Sequence, residues 1–259
     1  MPIYNINSGP RGFLQAEPGS LLWTMRPIGE ATGLSRGIVF AFDGKNGIRS
    51  TIPMKQPTQV GTPLIVPSVN GPALSLDGSS YLDFGIGLNL LPSSAMPFTF
   101  SFWEQVGASP NTYCGVFTFR AVGATNPWGF FRTKAGGGST WEPMYFGSYI
   151  SGAQFSASSN TNVLVAGERH RWLVVCREGA SSSHGLENDI WMDGVQYPTT
   201  SSGNVGSRTT DLNYIGYEPV DSPGTYKGLL SDIVLWNRTL SVSEIKDYFA
   251  SPMSVWDRI

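Results

Sequence analysis

The chain closes on a strand, a corner and one short helix, and this ending constrains its architecture more than any other stretch. Leu230-Ser231-Asp232-Ile233-Val234-Leu235-Trp236 alternates apolar and polar residues as a strand does. Asn237-Arg238 makes the corner. Ser241-Val242-Ser243-Glu244 then has capping-box spacing, with Ser241 accepting from a first-turn amide and Glu244 reaching back. Ile245, Tyr248 and Phe249 follow at helical spacing, and Pro252 stops the helix. Strand, corner, capped helix and stop form one compound signal.

Upstream of that ending the chain reads as strands. Ile38–Phe42 ends at Asp43-Gly44; Ala73–Leu76 turns at Asp77-Gly78 into Tyr81–Phe84, an Asp-Gly hairpin signal. Phe98–Trp103 and Cys114–Phe119 alternate cleanly, while Arg171–Arg177 is nearly continuous in apolar residues, as in a central strand covered on both faces. Asp189–Met192 turns at Asp193-Gly194, and Asp211–Gly216 leads into the ending. Only 14% of the 259 residues are charged, against 31 glycines and 18 prolines, a balance of many turns and few charged helices. The expected fold is all-β, a two-sheet antiparallel jelly-roll sandwich with one short C-terminal helix. Residues 1–36, with Pro2, Pro10, Pro18 and Pro27, read as an extended N-terminal arm, and residues 37–259 as the domain. Phe13 and the Leu21-Leu22-Trp23 cluster imply that the arm packs on its own sandwich or on a neighbouring subunit.

Bulk properties exclude some functions. A net charge of −2 without a basic run argues against nucleic acid. No apolar stretch approaches the roughly 20 residues of a membrane-spanning helix. The N-terminus has no basic-then-apolar leader pattern, which leads to the expectation of a protein assembled in a host cytoplasm and released by lysis. The two cysteines, Cys114 and Cys176, fall in strands and are expected as buried free thiols.

In order along the chain, ALSLDGSSYLDFG, PFTFSFWEQV, RHRWLVVCREG, NDIWMDGVQ and LNYIGYEP lead into WNRTLSVSEI. This order resembles laminin G-like jelly rolls of the concanavalin A-like lectin and glucanase superfamily, from about Ile38 to Pro252. The ending is similar to versions found in phage structural proteins. The resemblance implies a domain that binds rather than catalyses. It also implies that calcium can sit at a loop rim, where Asp211 and Asn213 offer oxygens; no ligand set stands out, the metal is left unknown, and no other cofactor is expected.

The catalytic alternative centres on Glu187-Asn188-Asp189-Ile190-Trp191-Met192-Asp193. Glucanases of the superfamily point two glutamates and a central aspartate from one strand into a cleft. Glu187 and Asp189 share a face here, but Trp191 and Met192 stand where the second glutamate is needed. No catalytic residue is therefore assigned, and the chain is expected not to be an enzyme. His170, at a strand entry between two arginines, is expected in a local hydrogen bond, and His184 in an exposed serine-rich loop.

Sugar binding needs flat aromatic faces and polar groups for hydroxyls. Alternation puts Trp103 on the face opposite the core phenylalanines, and Asp189 and Trp191 on the corresponding face of their strand. These three are the first candidate carbohydrate-binding set, unless the arm covers them. Trp128, Trp141 and Tyr217, read as loop aromatics, form a second. The expected function is a non-catalytic phage virion protein: a head-decoration, head-fibre or tail-associated subunit presenting a lectin-like surface to host glycans. Its partners would be capsid or tail proteins and further copies of itself, held through the arm. A secreted carbohydrate-binding module is the alternative reading, and a glycoside hydrolase the third.

Overall fold

The strand Phe98–Val106 sorts its side chains as its alternation requires. Phe98, Phe100 and Phe102 are fully buried on one face, and Thr99, Ser101 and Trp103 occupy the other. The computed structural model describes residues 34, 36–44, 47–50, 57–69, 71–85, 97–107, 113–119, 128–133, 140–141, 145–148, 155–156, 164–178, 186–197, 200–201, 212–218 and 224–250. Of the expected arm only Leu34 and Arg36 are among them.

Two sheets form the sandwich. In the nine-stranded sheet the order is Val195–Tyr197, Leu186–Met192, Arg169–Glu178, Phe98–Val106, Lys227–Trp236, Ile38–Asp43 and Gly47–Ser50. Gly71–Asp77 joins the first half of Lys227–Trp236, and Leu64–Ser68 lies outside it. The facing eight-stranded sheet runs Tyr145–Ser148, Trp128–Thr133, Tyr113–Phe119, Leu212–Ile215, Tyr81–Asp83 and Thr58–Val60. Its short hairpin Tyr217–Glu218 and Gly224–Thr225 makes the one parallel pairing given for the described strands, to Gly115. The fold is thus an all-β sandwich of antiparallel and mixed sheets with one short C-terminal helix, as the sequence led us to expect.

Phenylalanines join the sheets. The Phe100 and Phe102 rings meet Phe117 from the facing sheet at 4.6 and 4.8 Å between centroids. Cys114 and Cys176 are both buried in this same core. Alternation in Lys227–Trp236 is interrupted at Asp232, whose φ of 49° marks a bulge between Ser231 and Val234. The bulge lets Leu230, Ile233 and Leu235 all face the inter-sheet core while Val234 and Trp236 face out.

One turn departs from expectation. Asp77-Gly78 does not close a hairpin: Gly71–Asp77 belongs to the nine-stranded sheet and Tyr81–Asp83 to the eight-stranded one. The Asp77 carboxylate accepts from the amides of Ser79 and Ser80 and from both hydroxyls, which bends the chain across from sheet to sheet. These bonds, led by that from the Ser79 amide, hold Asp77 down at about 2. Asp193-Gly194, by contrast, is a true two-residue hairpin turn, with φ of 53° and 85°.

A third layer lies on the outer face of the nine-stranded sheet. Helix Val242–Ala250 buries Ile245 and Tyr248 against Leu173, Val175, Val234, Trp236 and Leu240. Its start is the expected capping box: the Ser241 amide donates to Glu244 at 2.9 Å, and the Glu244 amide to Ser241 Oγ at 3.3 Å. Arg238 pairs with Glu244 through both terminal nitrogens and, with the Ser241 bonds, holds that carboxyl down at about 2. Trp236 Nε1 donates to the Leu34 carbonyl at 2.6 Å and Arg238 Nε to that of Arg36, tying the last arm residues to the layer.

Candidate glycan-binding face

Strand register decides which outer-face side chains meet. Trp103 lies opposite Arg171; one pair further along, Leu173 lies between Ser101 and Trp191; the next row is Thr99, Val175 and Asp189. Trp103, Asp189 and Trp191 therefore share a face, as alternation led us to expect. Their surroundings differ.

Trp103 is half-buried and forms one wall of a concavity with Ser68, Gln105, Arg169, Leu229 and Ser231. Arg169 Nε donates to Gln105 Oε1 at 3.1 Å, which fixes the two long side chains against each other. The groove thus presents an indole, an amide, a guanidinium and two hydroxyls. Ring C–H groups of a sugar can lie on the indole while its hydroxyls exchange bonds with the polar wall. Glu104 contributes only backbone to this side. Its carboxylate is 2% exposed in the opposite, inter-sheet core, where it accepts from Trp172 Nε1 at 3.0 Å and Tyr226 Oη at 2.6 Å. Gly228 makes room for that arrangement, because a Cβ there would run into the Tyr226 hydroxyl.

Trp191 stands under the helix layer, packed with Phe249 against Leu173 and its neighbours. Among the described residues the cover over this part of the face is the C-terminal helix; arm residues 1–33 lie outside them. Between the two tryptophans sits Arg171, 3% exposed, its guanidinium 4.0 Å from the Tyr248 ring centroid, 5.3 Å from Trp103 and 6.0 Å from Phe249.

Asp189 is committed to protein partners. Arg177 reaches its Oδ2 at 2.7 Å, and Gln196 its Oδ1 at 3.1 Å. Asp193 accepts from His170 at 2.9 Å and from the Arg171 amide at 2.8 Å. Burial is the largest single influence and opposes the charge on both members of that pair. Their mutual bond and attraction, with the further bonds of His170 to Glu168 and of the Arg171 amide to Asp193, together outweigh it, raising His170 and lowering Asp193. His170 also lies 3.5 Å from Glu168, so it makes local bonds at a strand entry, as expected. Two of the three carboxylates weighed for glycoside chemistry are thus occupied by neighbouring cations or amides; the Glu187 side chain is outside the described set.

The second candidate set belongs elsewhere, and on strands rather than loops. Tyr217 is in Tyr217–Glu218 of the facing sheet, its ring stacked on Tyr81 at 4.3 Å and edge-on to Tyr214 at 5.4 Å. Burial, with the charges of Tyr217 and Asp83, raises Tyr81. Trp128 opens Trp128–Thr133, and Trp141 closes a two-residue strand paired with Leu164–Val165; their side chains are outside the described set. So are Asp211, the Asn213 side chain and His184, while among the described residues no three His, Cys, Asp or Glu side chains gather in a way that could hold a metal ion.

Sequence patterning alone does not distinguish Gln105, Arg169, Arg171 and Ser231 as site residues. One signal was present: Arg169 and Arg171 alternate around His170, so both share a face, and that face is Trp103's once the register is known.

Residues 76–246 match the family model of the concanavalin A-like lectin/glucanases superfamily. No curated protein sequence matches the chain. Among solved structures, Trypanosoma rangeli sialidase in complex with sialic acid is similar with a TM-score of 0.56 at 14% identity, over 85% of this chain and 33% of the sialidase. The chain thus spans about a third of that enzyme's length. Domain 4 of AbnA, a GH43 extracellular arabinanase from Geobacillus stearothermophilus solved with arabinotriose, is similar with a TM-score of 0.52 at 17% identity, over 81% of this chain and 97% of that one. The binding domain of Paraclostridial Mosquitocidal Protein 1 gives 0.52 at 14% identity, over 85% and 53%. At these identities the likeness is one of fold.

Proposed function

Since the chain belongs to the concanavalin A-like lectin/glucanases superfamily, whose model matches residues 76–246, we propose that it is a non-catalytic glycan-binding subunit of a phage virion. One observation carries the binding reading: Trp103 is partly open to solvent in a groove whose other walls are Gln105, Arg169, Ser68 and Ser231. An aromatic platform beside a few fixed polar groups is the composition that a sugar site requires. The non-catalytic reading is supported by Asp189 and Asp193, each held by protein partners rather than directed together at one point.

The virion reading is supported by the resemblance of the WNRTLSVSEI ending to versions found in phage structural proteins. On this reading the subunit is made in the host cytoplasm and released by lysis. It attaches to capsid or tail proteins, and to copies of itself, through the arm. A free-standing secreted carbohydrate-binding module is the second reading, favoured by the near-complete coverage of arabinanase domain 4.

The test is a glycan array with the wild type and Trp103→Ala. Binding by the wild type that the variant loses, at an unchanged melting temperature, is the expected result; an array without hits would overturn the glycan reading. Light scattering with and without residues 1–36 addresses assembly. A defined oligomer that falls to monomer on deletion is expected, and a monomer in both cases would favour the secreted module.

A further inference from the structure

The buried side-chain atoms without a hydrogen-bond partner among the described residues are Ser101 Oγ, Arg171 Nε and Nη1, Trp191 Nε1 and Tyr248 Oη. All five lie in the layer between the nine-stranded sheet and the helix. Register makes Arg171 their centre. Ser101 and Trp191 both pair with Leu173, two residues along its strand, so they occupy its two diagonals, and the Tyr248 ring lies over it. Three of the five atoms are obligatory donors and none is an obligatory acceptor.

A guanidinium this enclosed is a poor choice for stability. Three rings offset part of the lost hydration, but no carboxylate among the described residues bonds the side chain, and an apolar residue of similar volume would serve as well or better. Departures from stability rules of this kind mark functional positions. Arg171 stands directly behind Trp103, and next to it on the same face Arg169 lines the open groove.

We infer that Arg171 is the anion-binding element of the Trp103 site, taking the carboxylate of an acidic sugar whose ring lies on Trp103. This rests on the glycan reading above. The carboxylate supplies acceptors that the Arg171 and Trp191 donors do not find among the described residues. It reaches them when Tyr248, in the last turn of the helix, turns aside; the capping box and the Arg238–Glu244 pair anchor the first turn and need not change. The groove accepts the charge because Glu104 directs its carboxylate to the other face of the sheet and Asp193 is bound by His170.

The experiment is an array of matched glycans, each acidic member printed beside the same glycan with its carboxylate removed or esterified and beside a sulfated counterpart. It is read with the wild type, Trp103→Ala and Arg171→Met, each with its melting temperature. The wild type should prefer the carboxylated members, and more weakly as salt rises. Arg171→Met should lose that preference by about tenfold or more while melting no lower than the wild type. Trp191→Phe, which removes the Nε1 donor along with part of the indole ring and is therefore read beside its melting temperature, should weaken carboxylate binding by about three- to tenfold. Equal binding of charged and neutral members overturns the inference but leaves the glycan reading standing. So does Arg171→Met melting lower with its preference intact, which would make Arg171 structural. A preference for sulfated members overturns the assignment to carboxylate. No binding to any glycan removes both readings.

Discussion

The two packed layers of this protein are built to different standards. Between the sheets, aromatic rings interlock and the buried carboxylate of Glu104 is bonded by Trp172 and Tyr226. Between the nine-stranded sheet and the helix, apolar side chains surround five polar atoms without partners among the described residues, two of them on the Arg171 guanidinium. The inter-sheet layer holds the fold; the helix layer holds the fold less economically, next to the groove that we assign to sugar. The difference teaches that the exposed aromatic of the candidate site, Trp103, stands beside the layer whose buried donors lack partners among the described residues.

Mutations can break this contrast. The largest effect is expected for Phe100→Ala, about 3–5 kcal/mol in chemical denaturation, because the facing Phe117 and Phe119 cannot close the space. Glu104→Leu should cost about 2–4 kcal/mol, since it strands the Trp172 and Tyr226 donors in the core. Arg171→Met, at an equally buried position in the other layer, should be as stable as the wild type or more stable. A loss as large as that of Glu104→Leu would erase the distinction between the layers.

Smaller effects sharpen it through pH. Glu244 is held at about 2 against its ordinary 4.5, so its contribution is complete above 4.5 and is lost as pH falls towards 2. Glu244→Gln should cost about 1–2 kcal/mol at neutral pH and flatten that acid limb of the stability curve. His170 has the opposite sign. Its folded value is raised, so its stabilisation is present below the ordinary 6.5 and is lost as pH rises through the raised value. His170→Gln should remove a slope worth less than about 1 kcal/mol above pH 6.5.

Short-range chemistry was the legible part of the sequence. Alternation put Phe98, Phe100 and Phe102 inside and Trp103 outside, and four residues sufficed to read the capping box at Ser241. The same dipeptide was read correctly at Asp193-Gly194 and wrongly at Asp77-Gly78. There the two serines after the glycine claim the aspartate and turn the chain to the other sheet. The bulge at Asp232 was not read either, because a run of seven residues gives no sign of which pair is skipped. The groove was beyond the sequence for a topological reason. Gln105 shares Trp103's strand, but Ser68, Arg169 and Ser231 come from three others, and only the register brings them to Trp103. Trp191 illustrates the same limit: its outward direction was legible, but the helix that covers it arrives from the far end of the chain.

The central claim is that the helix-bearing face at Trp103 is where this protein meets its ligand. The most direct test is an NMR titration of the full-length protein with a glycan recovered from the array, following indole N–H and aromatic ring signals assigned by single substitutions. Trp103 should shift first and furthest, with Trp191 following for an acidic glycan, while Trp172, Tyr81 and Tyr217 stay in place. Shifts centred on the Tyr81–Tyr217 stack of the facing sheet, with Trp103 unmoved, would contradict the account.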